Sequence, residues 1–286
     1  MMQFVPIGFD QPTLAEYSAL FSACFPGTDK FTPEYIAWLY VQNPDGNAFG
    51  FDAREDGVLA AHYVCIPAQA RIDGRTVRVL LSLNTATHPR FQGQGLFTKL
   101  AAMTFDAAAG AGFEGVYGVA NANSTPGFIR KLGFQLVRPL EALVGVGRTG
   151  AVDDSARPCA FERLWTTQAL EWRCANPHNP VACRRRGDAW QFHARAFGPW
   201  IHAYAELALP ADMSPATPAT GGAPLSPFRL YLGLLPDDVK RKGGYASIPQ
   251  RLRPSPLNLI YRSLATPGSH LDHKRINFSF LDFDAY

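Results

Sequence analysis

VLLSLNTATHPRFQGQGLF, residues 79–97, decides the fold. An apolar, strand-like run from Val79 to Thr87 meets Pro89. Two glycines follow, Gly93 and Gly95, and a helix-like run opens at Leu96. Strand, glycine turn and helix start in this order leave bare backbone N–H groups at a helix N-terminus, a ready-made anion site. A second cluster, NANSTPGFIRKLGF at 121–134, comes about two elements later. Together the two predict an enzyme that holds a phosphate-bearing cosubstrate.

Two familiar phosphate loops do not fit this spacing. A Walker A loop needs Gly-Lys-Ser/Thr, whereas Gly95 is followed by Leu96 and Phe97. A dinucleotide fingerprint needs a third glycine and an acidic residue about 20 positions on, and neither is present.

Outward from the loop, the preceding strands are predicted at 47–54, 58–71 and 75–87, the last two joined by Asp73-Gly74, a strong hairpin signal. Further back, a strand covers 3–9. A helix opens at Thr13, with Glu16 completing a capping box, and ends at Pro26-Gly27. Thr32-Pro33 starts a second helix that stops at Asn43-Pro44. Downstream come a helix at about 95–110, a buried strand at 115–120, a short helix at 125–132 and a strand from Phe134. The order is β α α β β β α β α β over the first 148 residues.

Residues 149–158 (TGAVDDSARP) read as a linker. Beyond it, WTTQALEWRCANP (165–177) can be laid on FTPEYIAWLYVQNP (31–44). Thr166 falls on Thr32, Leu170 on Ile36 and Trp172 on Trp38, and one deletion aligns Asn176-Pro177 with Asn43-Pro44. Two domains are therefore expected, 1–148 and a degenerate copy at 159–286 without a second glycine loop. Its strands are predicted at 189–197, 200–209, 228–235, 257–262 and 276–283. Residues 210–227, rich in Pro, Ala, Thr and Gly, form an excursion.

Composition sets limits. Of 286 residues, 47% are apolar and 18% charged, which is enough for a packed core. A net charge of +3 is too small and dispersed for a nucleic-acid surface. The runs Arg184-Arg185-Arg186 and Lys240-Arg241-Lys242 read as solvated turns. No window approaches a membrane span, and MMQFVPIGFD lacks a secretory signal pattern. Five scattered cysteines and no C-x-x-C predict reduced thiols and a cytoplasmic protein. The seven histidines show no metal spacing, so no metal is expected. Trp38, Tyr40 and Trp172 read as core anchors.

Residues 1–148 resemble the GNAT family of acyl-CoA N-acyltransferases. The family's [Gln/Arg]-x-x-Gly-x-[Gly/Ala] motif is matched by Gln92-Gly93-Gln94-Gly95-Leu96-Phe97, preceded by His88-Pro89. Its downstream element is matched by Asn123 and Lys131-Leu132-Gly133-Phe134. The resemblance implies an α/β (α+β) fold: a mixed, mostly antiparallel sheet flanked by helices, here in two tandem copies. It implies acetyl-CoA as cosubstrate. Backbone N–H groups of Gln92, Gly93, Gln94, Gly95, Leu96 and Phe97 would take the pyrophosphate, and Asn84, Thr85, Ala86 and Thr87 the pantetheine arm. Asn123 and Ser124 would lie beside the cosubstrate. Catalysis would be direct attack of an amine on the thioester, helped by positioning and a polarising N–H.

Two departures stand out. Phe97 replaces the motif's final Gly or Ala and should alter the pyrophosphate packing slightly. Ile129 occupies the position of the family's acidic tyrosine and has no proton to give. The acid is then unassigned, with Tyr117 and Ser124 as candidates, and the resemblance adds the terminal carboxylate, at Tyr286, as a group that enters the active site in some relatives. Ser124 also reads as a helix cap, His88 as a loop residue and Glu141 as a contact for the amine. The function expected is N-acetylation of a small metabolite amine, with an amino sugar or nucleotide sugar first among acceptors and a homodimer among the assemblies allowed. Two rivals stay open: an acyl-CoA-binding module without catalysis, and a related-fold transferase that draws its acyl or aminoacyl group from tRNA.

Overall fold

The computed structural model describes residues 1–150, 158–198, 200–210, 213, 215, 227–240, 243–253 and 255–284. The chain begins β1 (Met2–Pro6), α1 (Gln11–Cys24), α2 (Pro33–Val41), β2 (Phe49–Glu55), β3 (Val58–Ile72) and β4 (Arg75–Thr87). It continues α3 (Leu96–Gly110), β5 (Gly115–Ala120), α4 (Thr125–Leu132), β6 (Gln135–Pro139) and β7 (Glu141–Gly147). The second half runs β8 (Phe161–Leu164), α5 (Thr167–Cys174), β9 (Ala182–Arg186), β10 (Ala189–Phe197), β11 (Ile201–Leu207) and β12 (Phe228–Leu234). It ends with β13 (Gly243–Ser247), β14 (Asn258–Ser263) and β15 (Ile276–Ser279). Through β6 the element order is the one predicted.

The elements gather into two compact units. The first takes Met1–Ala68, Arg78–Leu136 and Ile260–His270; the second takes Gln69–Val77, Val137–Leu259 and Leu271–Tyr286. The units thus interleave along the chain, whereas the linker composition divides it into 1–148 and 159–286.

In the first unit the strand order is β14-β5-β4-β3-β2-β1. β2 is antiparallel to β1 and β3, and β4 runs parallel to β5. α1 starts earlier than predicted, because Asp10 and not Thr13 caps it: the Asp10 carboxylate accepts from Thr13 N at 3.0 Å and Thr13 Oγ1 at 2.8 Å. Pro12 sits in that first turn, where a missing N–H costs nothing. Tyr17 of α1 and Tyr40 of α2 reach a buried Asp52–His62 pair on one face of β2 and β3. Tyr17 donates to Asp52 at 2.7 Å, His62 Nδ1 lies 2.6 Å from Asp52, and Tyr40 Oη lies 3.1 Å from His62 Nε2. On the other face α3 inserts Leu96, Leu100, Ala101, Phe105 and Ala108 against Ala53, Ala61, Tyr63, Cys65 and Leu80.

In the second unit the order is β13-β7-β12-β11-β10-β9. β9, β10 and β11 are antiparallel, and β11 runs parallel to β12. β8 pairs with the tip of β3 at Gln69–Arg71, and β15 lies parallel to β8. Three strands escape the sequence reading, β8, β9 and β13, and the strand expected from Phe134 through Glu141 is two, β6 and β7, parted at Leu140. β9 contains the Arg184–Arg186 run, so these arginines are strand residues paired with β10 and not a turn. Of Lys240–Lys242, only Lys240 lies among the described residues.

Candidate functional site

The site is built where two parallel strands part. β4 and β5 are in register from Val79↔Gly115 to Ser82↔Gly118. Beyond that pair Leu83, Asn84, Thr85 and Thr87 line one wall of a cavity of about 660 Å³, and Val119 and Asn121 line the other. Asn84 in β4 has φ of +45°, a left-handed conformation that Asn tolerates better than most residues. α3 and α4 contribute Phe97, Asn123, Ser124, Gly127 and Phe128, while Phe25 and Phe31 close another side. Every residue lining this cavity is uncharged.

β4 leads directly into the glycine loop. Gly93 (φ +78°) and Gly95 (φ +74°) are both left-handed, and a Cβ at either would stand in open space. Gly95 is the N-cap of α3 and has no side chain to cap it. By contrast α1, α2 and α5 are capped by Asp10, Thr32 and Thr166. The first turn of this 15-residue helix is therefore bare of a side-chain cap and carries the positive end of the dipole. These features fit a pyrophosphate.

The predicted residues separate cleanly. Thr85, Thr87, Phe97, Asn123 and Ser124 all line the cavity, whereas Ala86 is buried. Gln92, Gly93, Gln94 and Gly95 stay exposed on the loop, Gln92 donating to the Thr87 carbonyl at 3.4 Å, and Leu96 is buried beneath them. Phe97 turns away from the loop. Its ring packs edge-on to Phe128 at 5.2 Å and 6.0 Å from Tyr63, over the bare Gly127, where a Cβ would approach it to 3.2 Å. The extra bulk is thus absorbed by a missing side chain on α4.

Tyr117 does not reach the cavity. It pairs in register with Leu81, is fully buried, and by strand alternation faces away from Ser82 and Gly118. Ser124 stands at the N-cap position of α4 but makes no capping bond to it; its hydroxyl is engaged with Asn121 at 3.1 Å. His88 accepts from Arg90 N at 3.2 Å and caps a short helical turn. Glu141 lies in the second unit, 3.5 Å from Arg138. Tyr286 lies outside the described residues. Sequence reasoning missed Ser82, Asn84's left-handed turn, and the aromatic wall of Phe25 and Phe31. Ser82 sits in an apolar run that reads only as a strand.

Among the described residues no cluster of His, Cys, Asp and Glu is arranged to hold a metal ion, and no helix is long and apolar enough to cross a membrane. Among the described residues none of the five cysteines is in a disulfide.

No curated protein sequence matches the chain. Among solved structures, a conserved protein of Enterococcus faecalis described as a probable N-acyltransferase matches 93% of this chain and 73% of its own, with 12% identity and a TM-score of 0.61. A GCN5-related N-acetyltransferase of Anabaena variabilis matches 92% and 73%, with 11% identity and a TM-score of 0.59. Eis1 of Mycobacterium abscessus matches 80% of this chain, which spans 65% of that protein, just under two thirds, with 11% identity and a TM-score of 0.52. At these identities the likeness is one of fold. The family model for an acetyltransferase (GNAT) domain matches residues 10–137, which contain α1 to β5, the glycine loop and α4. Residues 10–137, just under half of the chain, thus match the GNAT family of acetyltransferases, and the glycine loop and the cavity both lie within or against that stretch.

Proposed function

We propose that the protein transfers an acetyl group from acetyl-CoA to the primary amine of a small metabolite. One observation carries this reading. The parting of β4 and β5 opens a cavity directly upstream of a left-handed glycine loop that leaves the N-terminus of α3 uncapped. An anion at the helix start and an extended arm along residues 83–87 would together place a thioester in the cavity. Exposed edges of β4 and β5 would pair with the amides of that arm. Phe25 and Phe31 offer ring faces to the acceptor, and a sugar ring bearing an amine is the acceptor class they suit. The second unit is read as a degenerate copy of the first. No acid or base lines the cavity among the described residues, so attack depends on the free-amine fraction of the acceptor.

Calorimetric titration with acetyl-CoA, CoA and longer acyl-CoAs tests the proposal. Micromolar binding with a preference for acyl length is expected, followed by turnover in a screen of amino sugars and simple amines. Binding without turnover on any amine favours the acyl-CoA-binding module. A folded protein that binds none of them refutes both.

A further inference from the structure

The cavity floor carries a polar group that neither the glycine loop nor the strand edges explain. Ser82, at the last register pair before β4 and β5 part, is 7% exposed and lines the cavity. Its Oγ lies 2.8 Å from the phenolic oxygen of Tyr63, which is fully buried. Cys65 is also fully buried, and both hydroxyls bear on the titration of its thiol. Tyr63 is locked in place, edge-on to Phe105 at 5.8 Å and 6.0 Å from Phe97. A serine in the interior of an apolar strand is costly unless its hydroxyl is paired, and pairing it with a rigid phenol fixes its direction.

The protonation states limit what this trio can do. Burial raises the Tyr63 phenol well above its ordinary range, and it pushes the Cys65 thiol up to about 12. Both groups keep their protons at neutral pH. Tyr63 can therefore give a hydrogen bond to Ser82 but is a poor source of a proton, because a buried phenolate would be left behind. With Tyr63 as the donor of that bond, the Ser82 hydroxyl is left to offer its own O–H to the cavity it lines.

We propose that the Ser82 hydroxyl, positioned by Tyr63, is the hydrogen-bond donor that meets the negative charge developing on the thioester during acetyl transfer. The inference rests on the acetyl-transfer reading above. In that reaction the amine nitrogen bonds to the acetyl carbon, and the carbon–sulfur bond breaks with its electron pair on sulfur. The surplus proton on nitrogen passes to solvent, and solvent returns one to the thiolate. Ser82 stabilises charge without changing its own protonation, which is the work of an oxyanion-type donor. Tyr63 acts through Ser82 and is a positioning residue.

The test compares full-length wild type with Ser82→Ala, Tyr63→Phe and Ser82→Thr. Acetyl-CoA is the donor and hydroxylamine the acceptor, with thiol release as readout. Release in water alone, by slow hydrolysis, provides the same comparison if hydroxylamine is not used. Ser82→Ala should lower kcat by roughly 100-fold, with acetyl-CoA affinity in calorimetry unchanged. Tyr63→Phe should lower kcat less, and Ser82→Thr should restore most of the rate. The Ser82→Ala deficit should shrink with an acetyl thioester of a more acidic thiol, an effect that a merely structural serine would not produce. Wild-type turnover in Ser82→Ala overturns the role of Ser82 and leaves acetyl transfer standing. Wild type that neither binds acetyl-CoA nor releases thiol from it overturns both.

Discussion

The two units use the same local plan and reach opposite outcomes. Each has a Thr-capped helix with a buried Trp: Thr32 accepts from Tyr35 N and Thr166 from Ala169 N, both at 3.1 Å, and Trp38 and Trp172 are both buried. Each follows that helix with a buried Asn whose side chain orders the next turn. Asn43 accepts from Asp45 N at 3.1 Å, and Asn176 accepts from His178 N at 2.9 Å. Each then makes three antiparallel strands and a parallel fourth, β4 with β5 and β11 with β12. The difference lies in what enters the gap where the parallel pair parts. In the first unit it is the cavity. In the second, β15 pairs with Gly233 and Leu234 at the end of β12, and the 3₁₀ turn Phe280–Asp282 packs against β11 and β12. A fold of this type offers a cleft at the parting, and its own chain can fill it.

The filling is secured by a residue that the first unit lacks. Arg173 stands where the first unit has Leu39 in the ungapped alignment. It is buried and donates to the carbonyls of Leu281 at 3.1 Å, Phe280 at 3.2 Å and Phe283 at 2.7 Å. Asp282, also buried, is held by Ser279 N at 2.6 Å and by Trp165 Nε1 at 3.3 Å. The sheet faces differ too. Where α3 covers Ala61, Tyr63 and Leu80, one face of β10–β12 bears Gln191, His193, Tyr204, Glu206 and Arg229. No α-helix separates β11 from β12 among the described residues.

The largest effect should come from breaking the feature that only the first unit has. Gly95→Glu forces a side chain onto a left-handed residue and sets a carboxylate at the helix start. Acetyl-CoA affinity should fall by about 100-fold or more, since like charges in contact cost several kcal/mol, and calorimetry reads this directly. Unchanged affinity would mean that the loop is only a turn. Next, Arg173→Leu restores the first unit's residue and removes three hydrogen bonds. It should lower stability by about 2–4 kcal/mol, measured as a fall in the urea midpoint. No loss would show that Arg173 does not hold the filling segment.

A third test sharpens the same contrast through pH. Burial raises Asp282 to about 6, opposed by the charge of Arg163 and by hydrogen bonds from Ser279 and Trp165. Its native state then holds a proton that the unfolded state has lost between pH 4 and 6. Stability should fall as pH rises through that window, and Asp282→Asn should remove the slope. His193 works in the opposite direction. Burial, with Arg229, Arg184 and His202 nearby, lowers it to about 3, so its unfolded form binds the extra proton between pH 3 and 6.5 and stability rises with pH there. A Tm series in which His193→Gln keeps the wild-type acid slope would refute that assignment. The smallest effects should be the most alike: Thr32→Ala and Thr166→Ala should each cost about 1 kcal/mol as lost helix caps. Clearly unequal losses would weaken the case for a common plan.

Much of the first unit is legible because its signals are local. Pro33 at a helix start, Asp73-Gly74 in the hairpin, Gly95 before α3 and Gly133 after α4 each fix a backbone conformation without long-range help. The second unit is read less well for a physical reason. Its strands β9 and β13 are short and polar, and β7 pairs with strands more than 80 residues away. Charged residues such as Arg173 and Arg229 are buried through partners that no pattern announces. At the site, the loop and Thr85–Thr87 follow from motif and strand end. Ser82 does not, since its importance depends on Tyr63 from another strand. Nor does the withdrawal of Tyr117, which is set by the parity of the register.

The interleaving of the units bears on how the protein is made. β14, the neighbour of β5 on its outer side, begins only at Asn258, long after β5 ends at Ala120, and β7, the neighbour of β12, ends at Gly147, long before β12 begins at Phe228. While the ribosome advances from β5 to β14, an interval of roughly ten seconds or more at ordinary rates, the growing chain presents β5 with one side unpaired. An open strand edge is a template for the wrong partner. The first unit therefore cannot be completed by a chain that stops at the end of β6, and such a chain should depend on chaperones or aggregate.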